Sequence, residues 1–239
     1  MHCASIEVED MSEWMKLRTA DGHDLSAYVS RPAGEPIGAL ILVQEIFGVN
    51  AHIRSVADGY AKDGFVVIAP ALFDRFGHGI ELKYEGEDAK RAGELWKRLD
   101  PDKALLDIAA AYEVAKATGK GIGVVGFCFG GLMSWLTATR GERLKMQPSC
   151  CVGYYPGGIG KVAAEEPSCP VMLHIGSADS HIGSDQIDVV RRAHPEVEVF
   201  ICEGAGHAFN RDADPNAYHA PSAALARERT LAFLKTHVA

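Results

Sequence analysis

A thiol held in a tight strand-to-helix turn is the strongest chemical signal in this sequence. The apolar run Gly123-Val124-Val125 leads straight into Gly126-Phe127-Cys128-Phe129-Gly130-Gly131, and a helix-compatible segment follows. Strand, Gly-x-Cys-x-Gly and helix together make a nucleophile elbow with cysteine where serine usually stands. A turn that sharp forces its central residue into a strained backbone conformation, and side chains two positions away would collide across it. The strain lifts the sulfur above the strand ends and sets it at a helix N-terminus, whose partial positive charge favours thiolate. The plainer alternative is a glycine-rich turn carrying a buried cysteine.

A thiol nucleophile of this kind needs a base, and the base needs an orienting acid; along the chain they follow as nucleophile, acid, histidine. After Cys128 the histidines are His174, His181, His194, His207, His219 and His237. His207 follows a strand-like segment, residues 197–202, through Glu203-Gly204-Ala205-Gly206, a flexible loop of the kind that carries sites at sheet edges. His174 sits inside an apolar run and reads as a core residue. His237 lies near a C-terminal helix end, and His181 is the second choice for the base. The acid should leave the preceding strand. Val171-Met172-Leu173-His174-Ile175 runs into Gly176-Ser177-Ala178-Asp179, so Asp179 takes that position, to hold the imidazole tautomer and stabilise the imidazolium. Asp185 and Asp188 fall on the next helix as cap or surface charges.

These residues need a sheet to bring them together. Two alternating strands flank Asp21-Gly22, a hairpin turn signal. Buried apolar runs follow at 39–44, 65–69, 123–126, 151–155, 171–175 and 197–202, of the type found in parallel sheets covered on both faces. Helices are expected at 50–62, from Asp100-Pro101 onward, and at 132–140, 184–192 and 222–237. An antiparallel start followed by repeated β-α units indicates one α/β domain over residues 1–239, with a mostly parallel sheet and antiparallel strands at its N-terminal edge.

Composition narrows the classes further. The chain has 239 residues, 47% of them hydrophobic and 23% charged, as in ordinary globular proteins. Its 32 acidic and 24 basic residues leave a net charge of −8, with no basic block for nucleic acid or a membrane surface. The N-terminus lacks a signal-peptide pattern and no apolar run reaches membrane-spanning length, so a cytoplasmic location is expected. Of the six cysteines (Cys3, Cys128, Cys150, Cys151, Cys169, Cys202), no two form a C-x-x-C pair, which argues against zinc-ribbon and thioredoxin-type chemistry. Cys150, Cys151, Cys169 and Cys202 lie in or beside apolar strands, where cysteine packs as a small hydrophobe.

At these residues the chain resembles the dienelactone hydrolase family, cysteine-dependent members of the α/β-hydrolase fold. The resemblance rests on Gln44-Glu45-Ile46-Phe47-Gly48-Val49-Asn50, on the Cys128 elbow, on Gly204-Ala205-Gly206-His207-Ala208-Phe209, and on the segment Ala226-Arg227-Glu228-Arg229-Thr230. It implies a Cys128, His207, Asp179 triad, with Glu45 beside the thiol, interacting with it at rest and controlling when thiolate is exposed. It implies an oxyanion hole from the backbone N–H groups of Ile46 and Phe129. Arg211 matches a family arginine that binds the substrate carboxylate. A second family arginine falls at Ala89 and a family tyrosine at Gly93, departures that leave the exact substrate open, with Arg75 or Arg91 as substitutes for the missing cation.

The implied reaction is hydrolysis of a small ester or enol lactone, of carboxymethylenebutenolidase type, through a thioester acyl-enzyme. It requires no metal or organic cofactor. The expected partner is a small, anionic or neutral ester substrate, and the expected assembly a monomer or small homo-oligomer. The alternatives are a broader carboxylesterase or thioesterase on the same fold, a redox-sensing or ligand-binding relative without turnover, and a zinc site built from His174, Asp179, His181 and His207.

Overall fold

The computed structural model describes residues 11–239. Cys3 lies outside the described residues. Among the described residues eight strands form one sheet in the order β1-β2-β4-β3-β5-β6-β7-β8. The strands β1 (Ser12–Arg18) and β2 (Asp24–Ser30) pair antiparallel around the Asp21-Gly22 turn. Next, β2 runs antiparallel to β4 (Phe65–Pro70), and every later pairing is parallel. This is the α/β-hydrolase arrangement with its antiparallel edge. Among the described residues no helix is long and apolar enough to cross a membrane.

The central strands explain their own burial. β3 (Gly38–Val43) and β5 (Ile122–Phe127) have no exposed residue on either side, because helices cover both faces. On one face α3 (Pro101–Ala115) and α4 (Phe129–Arg140) pack Leu105, Ile108, Met133 and Trp135. On the other α1 (Ala51–Lys62) and α6 (Ala220–His237) contribute Ile53, Tyr60, Phe233 and Leu234. Two starts follow local chemistry. Asn50 accepts from the Ile53 N–H at 3.2 Å, and Asp100 accepts from the Asp102 N–H at 2.9 Å ahead of Pro101.

The structure adds a helix the pattern did not announce, α2 (Gly86–Arg98). Only Ala92 and Leu95 are buried on it, yet Ala89, Ala92, Leu95 and Trp96 recur at helical spacing, so the period was present in a segment that is polar overall. It also starts α4 at Phe129, three residues before the expected 132, so the helix begins immediately after the thiol.

Five adjacent parallel strands deliver the site. β3, β5, β6 (Cys150–Tyr154), β7 (Val171–Gly176) and β8 (Glu198–Cys202) lie side by side. Their carboxyl ends are level in register, with Val43 opposite Gly126, Phe127 opposite Tyr154, Tyr154 opposite His174 and Gly176 opposite Cys202. Residues a few positions beyond each strand therefore meet in one place, although they are up to 166 positions apart in the chain.

Candidate active site

Cys128 has φ 55° and ψ −116°, a conformation side chains seldom adopt. Its neighbours show why glycine flanks it. A Cβ on Gly126 would stand 1.9 Å from the carbonyl oxygen of Gly130, and one on Gly130 would stand 2.2 Å from that of Val43. Both obstacles are backbone, so no rotamer change relieves them. The Cys128 N–H donates to the Tyr154 carbonyl at 3.0 Å, which ties the turn to the next strand. The thiol is half-buried and sits at the head of α4, where the helix dipole favours negative charge.

His207 Nε2 stands 3.1 Å from Cys128 Sγ, and His207 Nδ1 stands 2.8 Å from Asp179 Oδ2. A carboxylate only accepts, so Nδ1 carries the proton and Nε2 faces sulfur. The other oxygen, Oδ1, accepts from the His181 N–H at 2.8 Å, which locks the carboxylate's orientation. Asp179 is buried, while His207 keeps an open edge. The two loops meet closely because Gly176 ends β7: a Cβ there would lie 2.2 Å from the carbonyl oxygen of Ala205. Burial alone would lower the His207 pKa. The hydrogen bonds to Asp179 and then to Cys128 outweigh it and push the imidazole up to about 10. His181 is exposed and packs edge-on against His207, with ring centroids 4.7 Å apart. His174 is fully buried, its pKa lowered to about 3 by burial, and its Nε2 lies 3.1 Å from the Thr230 hydroxyl.

Glu45 leaves β3 directly and is almost wholly buried. Its recorded partner is Arg211, which donates from Nε to Oε2 at 2.9 Å and from Nη2 to Oε1 at 3.0 Å. The bidentate geometry is the strong form of a charged pair. Arg211 also donates to Asp214 at 3.3 Å, and its guanidinium stacks 4.3 Å from the Tyr84 ring centroid and 5.0 Å from that of Phe47. The expected contact of Glu45 with the thiol is thus replaced here by an ion pair with Arg211, while the thiol faces His207. The physical reason is charge: a buried carboxylate takes the nearest guanidinium before a neutral or anionic sulfur.

The two expected oxyanion amides are braced differently. Phe129 opens α4, so its N–H is among the first-turn amides with no acceptor inside the helix. Ile46 depends on Gln44, whose Nε2 donates to the Glu45 carbonyl at 3.1 Å and whose Oε1 accepts from the Leu72 N–H at 3.1 Å. The Glu45 carbonyl and the Ile46 N–H share one trans peptide plane, so fixing the carbonyl also fixes the direction of the N–H.

The family model described as the dienelactone hydrolase family matches residues 25–238. The chain belongs to the dienelactone hydrolase family. It is 32% identical over 234 residues to a carboxymethylenebutenolidase of Pseudomonas putida, covering 94% of this chain and 96% of that one. A carboxymethylenebutenolidase of Pseudomonas sp. strain P51 is 29% identical over 235 residues, covering 94% and 95%. A candidate dienelactone hydrolase from Klebsiella pneumoniae superimposes with a TM-score of 0.79 at 26% identity, covering 92% of this chain and 97% of that one. A dienelactone hydrolase-like promiscuous phosphotriesterase from metagenomic libraries, at 17% identity and TM-score 0.74 over 96% and 100%, shares the fold. As a member of this family the chain is a hydrolase.

Within this dienelactone hydrolase chain the other cations stand apart from the thiol. Arg75 is committed to Asp107, donating from Nε and Nη2 at 2.8 Å each, and pairs further with Asp21 at 3.2 Å. Burial pushes Asp107 up to about 7, against the pull of Arg75, so this buried pair is a structural tie and not a free cation. Arg91 is exposed on α2. Among the described residues no group of three or more His, Cys, Asp or Glu side chains could hold a metal ion. His174 is turned to Thr230 in the core, which separates it from Asp179, His181 and His207. Beside the site a cleft of about 750 Å³ is lined by Tyr84 and Asp214, both of which also hold Arg211, but not by Cys128.

Sequence reading missed Gln44, Phe47 and Tyr84 as parts of this site. Gln44 and Phe47 stood inside the family segment without an assigned task. Tyr84 carried no usable signal, because its contact with Arg211 joins residues from the approach to α2 and the histidine loop.

Proposed function

We propose that this hydrolase cleaves small esters and enol lactones by two-step acyl transfer through Cys128, His207 and Asp179. The observation that carries the reading is the unbroken line of contacts from sulfur to imidazole to carboxylate, at 3.1 Å and 2.8 Å. The Cys128 thiolate attacks the acyl carbon, forming the S–C bond, and the carbonyl electrons move to oxygen. The Ile46 and Phe129 N–H groups receive that oxyanion. The C–O bond to the leaving enolate or alkoxide then breaks. The imidazolium of His207 gives its proton to the leaving oxygen or, where the enolate departs unprotonated, to solvent, so that the imidazole is neutral for the second step. In the second step His207 takes a proton from water, the hydroxide attacks the thioester, and thiolate departs. An enolate leaves with little protonation, which suits sulfur and favours enol lactones and activated esters over amides. Mixing the enzyme with an activated aryl ester and quenching early should reveal one acyl mass increment on the Cys128 peptide. An increment on another residue, or none during steady turnover, would refute the thioester route.

Arg211 is the candidate carboxylate binder, and the structure dictates how to test it. Replacing Arg211 alone strands a buried Glu45 carboxylate, a loss of about 3–5 kcal/mol that would obscure any substrate effect. The informative comparison is Glu45→Gln against Glu45→Gln/Arg211→Met. Removing the guanidinium in that background should weaken kcat/KM on carboxylate-bearing lactones by about 1.5–3 kcal/mol, the usual range for charge-assisted hydrogen bonds. Neutral aryl esters should lose markedly less. Equal losses on both substrate types would make Arg211 a strut of the loop.

A further inference from the structure

Two thiols near the amino ends of β6 and β7 meet sulfur to sulfur, and hydrolysis uses neither. Cys151 is the second residue of β6 and is fully buried. Cys169 lies in the loop that enters β7, two residues before Val171, and is half-buried. Their Sγ atoms are 3.8 Å apart, with Cys169 donating to Cys151. The strands bring them there: Cys151 stands opposite Val171 in the parallel register, and its N–H donates to the Pro170 carbonyl at 3.0 Å. Cys150 belongs to the core on the other face of the sheet, because successive strand residues alternate. Of the two neighbours, Cys151 is therefore the one that faces Cys169.

Their environments divide the roles in an oxidation. Cys169 keeps surface that a small oxidant reaches. Cys151 keeps none; burial, and then the hydrogen bond with Cys169, raises its pKa well above the ordinary thiol value and holds it protonated. A reachable thiol in contact with a second one has its first oxidation product captured before more oxidant arrives. A disulfide bond is about 2.05 Å long, so the sulfurs have to close by about 1.8 Å. Cys169 lies outside the strand ladder, where the backbone yields more easily than within it.

We propose that Cys151 and Cys169 form a reversible oxidation site, a disulfide made by hydroperoxides that ties the amino ends of β6 and β7 together. With hydrogen peroxide, the Cys169 sulfur attacks one oxygen, the O–O bond breaks, and the departing oxygen leaves with the thiol proton as water. Cys169 is then a sulfenic acid, and the peroxide has been reduced. The Cys151 sulfur attacks that of Cys169, the S–O bond breaks, and the hydroxyl departs with the Cys151 proton as a second water. Two thiols and one peroxide thus give one disulfide and two waters. An external thiol reverses the bond by exchange. The bond joins positions 18 apart, which restricts the unfolded chain.

Hydrogen peroxide on the full wild-type chain, followed by iodoacetamide and trypsin without reductant, tests this. Cleavage after Lys145, Lys161 and Arg191 puts Cys151 in the peptide 146–161 and Cys169 in the peptide 162–191. Cys128, exposed to the same oxidant, is read separately in the peptide 121–140. The first two peptides should appear joined, two hydrogens lighter than their sum, and dithiothreitol should part them. Fragment ions should place the bond at Cys151 and not at Cys150. Cys169→Ser lies at the opposite end of the strands from the elbow, so it should hydrolyse an aryl ester as the wild type does. It should lower peroxide-dependent change at Cys151 at least tenfold, because the buried thiol loses its route. The linked protein should melt about 3 °C or more above equally treated Cys169→Ser. A smaller rise, or a fall, overturns the tie between strands. Oxidation of Cys169 without a joined peptide overturns the site, as do a bond to Cys150 or Cys128 and two thiols that stay reduced while Cys128 is oxidised.

Discussion

Cys128→Ala should abolish hydrolysis, a loss on the order of a thousandfold or more, while the protein stays folded. The reaction needs a group that forms and then releases a covalent bond to the acyl carbon, and the proposed route offers no substitute for sulfur. The fold should tolerate the change because alanine keeps the Cβ that the turn at φ 55° already accommodates. The thiol is half-buried at a helix N-terminus, next to an imidazole 3.1 Å away, whereas Cys150, Cys151 and Cys202 are buried. Burial pushes the thiols of Cys150, Cys151 and Cys202 up, which suppresses their thiolates. Iodoacetamide should accordingly label Cys128 first in the wild type, as read by peptide mass spectrometry. Equal labelling of several thiols, or full activity in the alanine variant, would remove Cys128 from the role.

His207→Ala and Asp179→Asn should each lower turnover on the order of a hundredfold or more, and the double variant should lose little beyond the worse single one. The losses overlap because the pair acts as one device: Asp179 has no route to sulfur except through the imidazole. A pH signature accompanies them. The ordinary imidazole value is 6.5, and in the fold His207 is pushed up to about 10 by Asp179 and Cys128 against the opposing effect of burial. A folded value above the unfolded one means that the charged imidazolium contributes stability fully below pH 6.5. That contribution fades as pH rises toward about 10. Asp179→Asn removes the largest upward influence, so its melting temperature should change less across that window than the wild type's. Thermal melts of both proteins at a series of pH values would check this. Parallel curves would show that the charge on His207 does not depend on Asp179.

A deeper contrast separates what each residue's neighbours in the chain reveal from what only distant neighbours decide. The elbow was legible because its constraint is local. Strand, glycine, thiol, glycine and helix lie within a few positions, and the steric demand at Gly126 and Gly130 leaves glycine as the fitting choice. Asp179 and His207 were legible for a related reason: each follows a buried apolar strand through a short loop, and parallel strands bring such loops to one edge. The antiparallel start around Asp21-Gly22 and the alternation of strands and helices were equally plain. The polar helix α2 was not read, although Ala89, Ala92, Leu95 and Trp96 recur at helical spacing, because its surroundings are charged and only Ala92 and Leu95 are buried.

Partner choice was decided by the tertiary structure. Glu45 could be placed at the site from its exit from β3, but its bidentate hold on Arg211 joins positions 166 residues apart, which no local pattern encodes. The same holds for Arg75, whose sequence context left it a free cation until Asp107 and Asp21 were brought against it. Cys151 and Cys169 show the limit most clearly. Their type and positions in and beside apolar runs suggest only two small core residues. Their interest comes from sulfurs brought 3.8 Å apart, one buried and one half-buried. Backbone conformation and apolar periodicity are short-range properties, so sequence alone determined the sheet, the elbow and the order along the chain of the proposed triad residues. Charge pairing and hydrogen-bond satisfaction depend on which groups burial leaves together, and only the packed chain settles that.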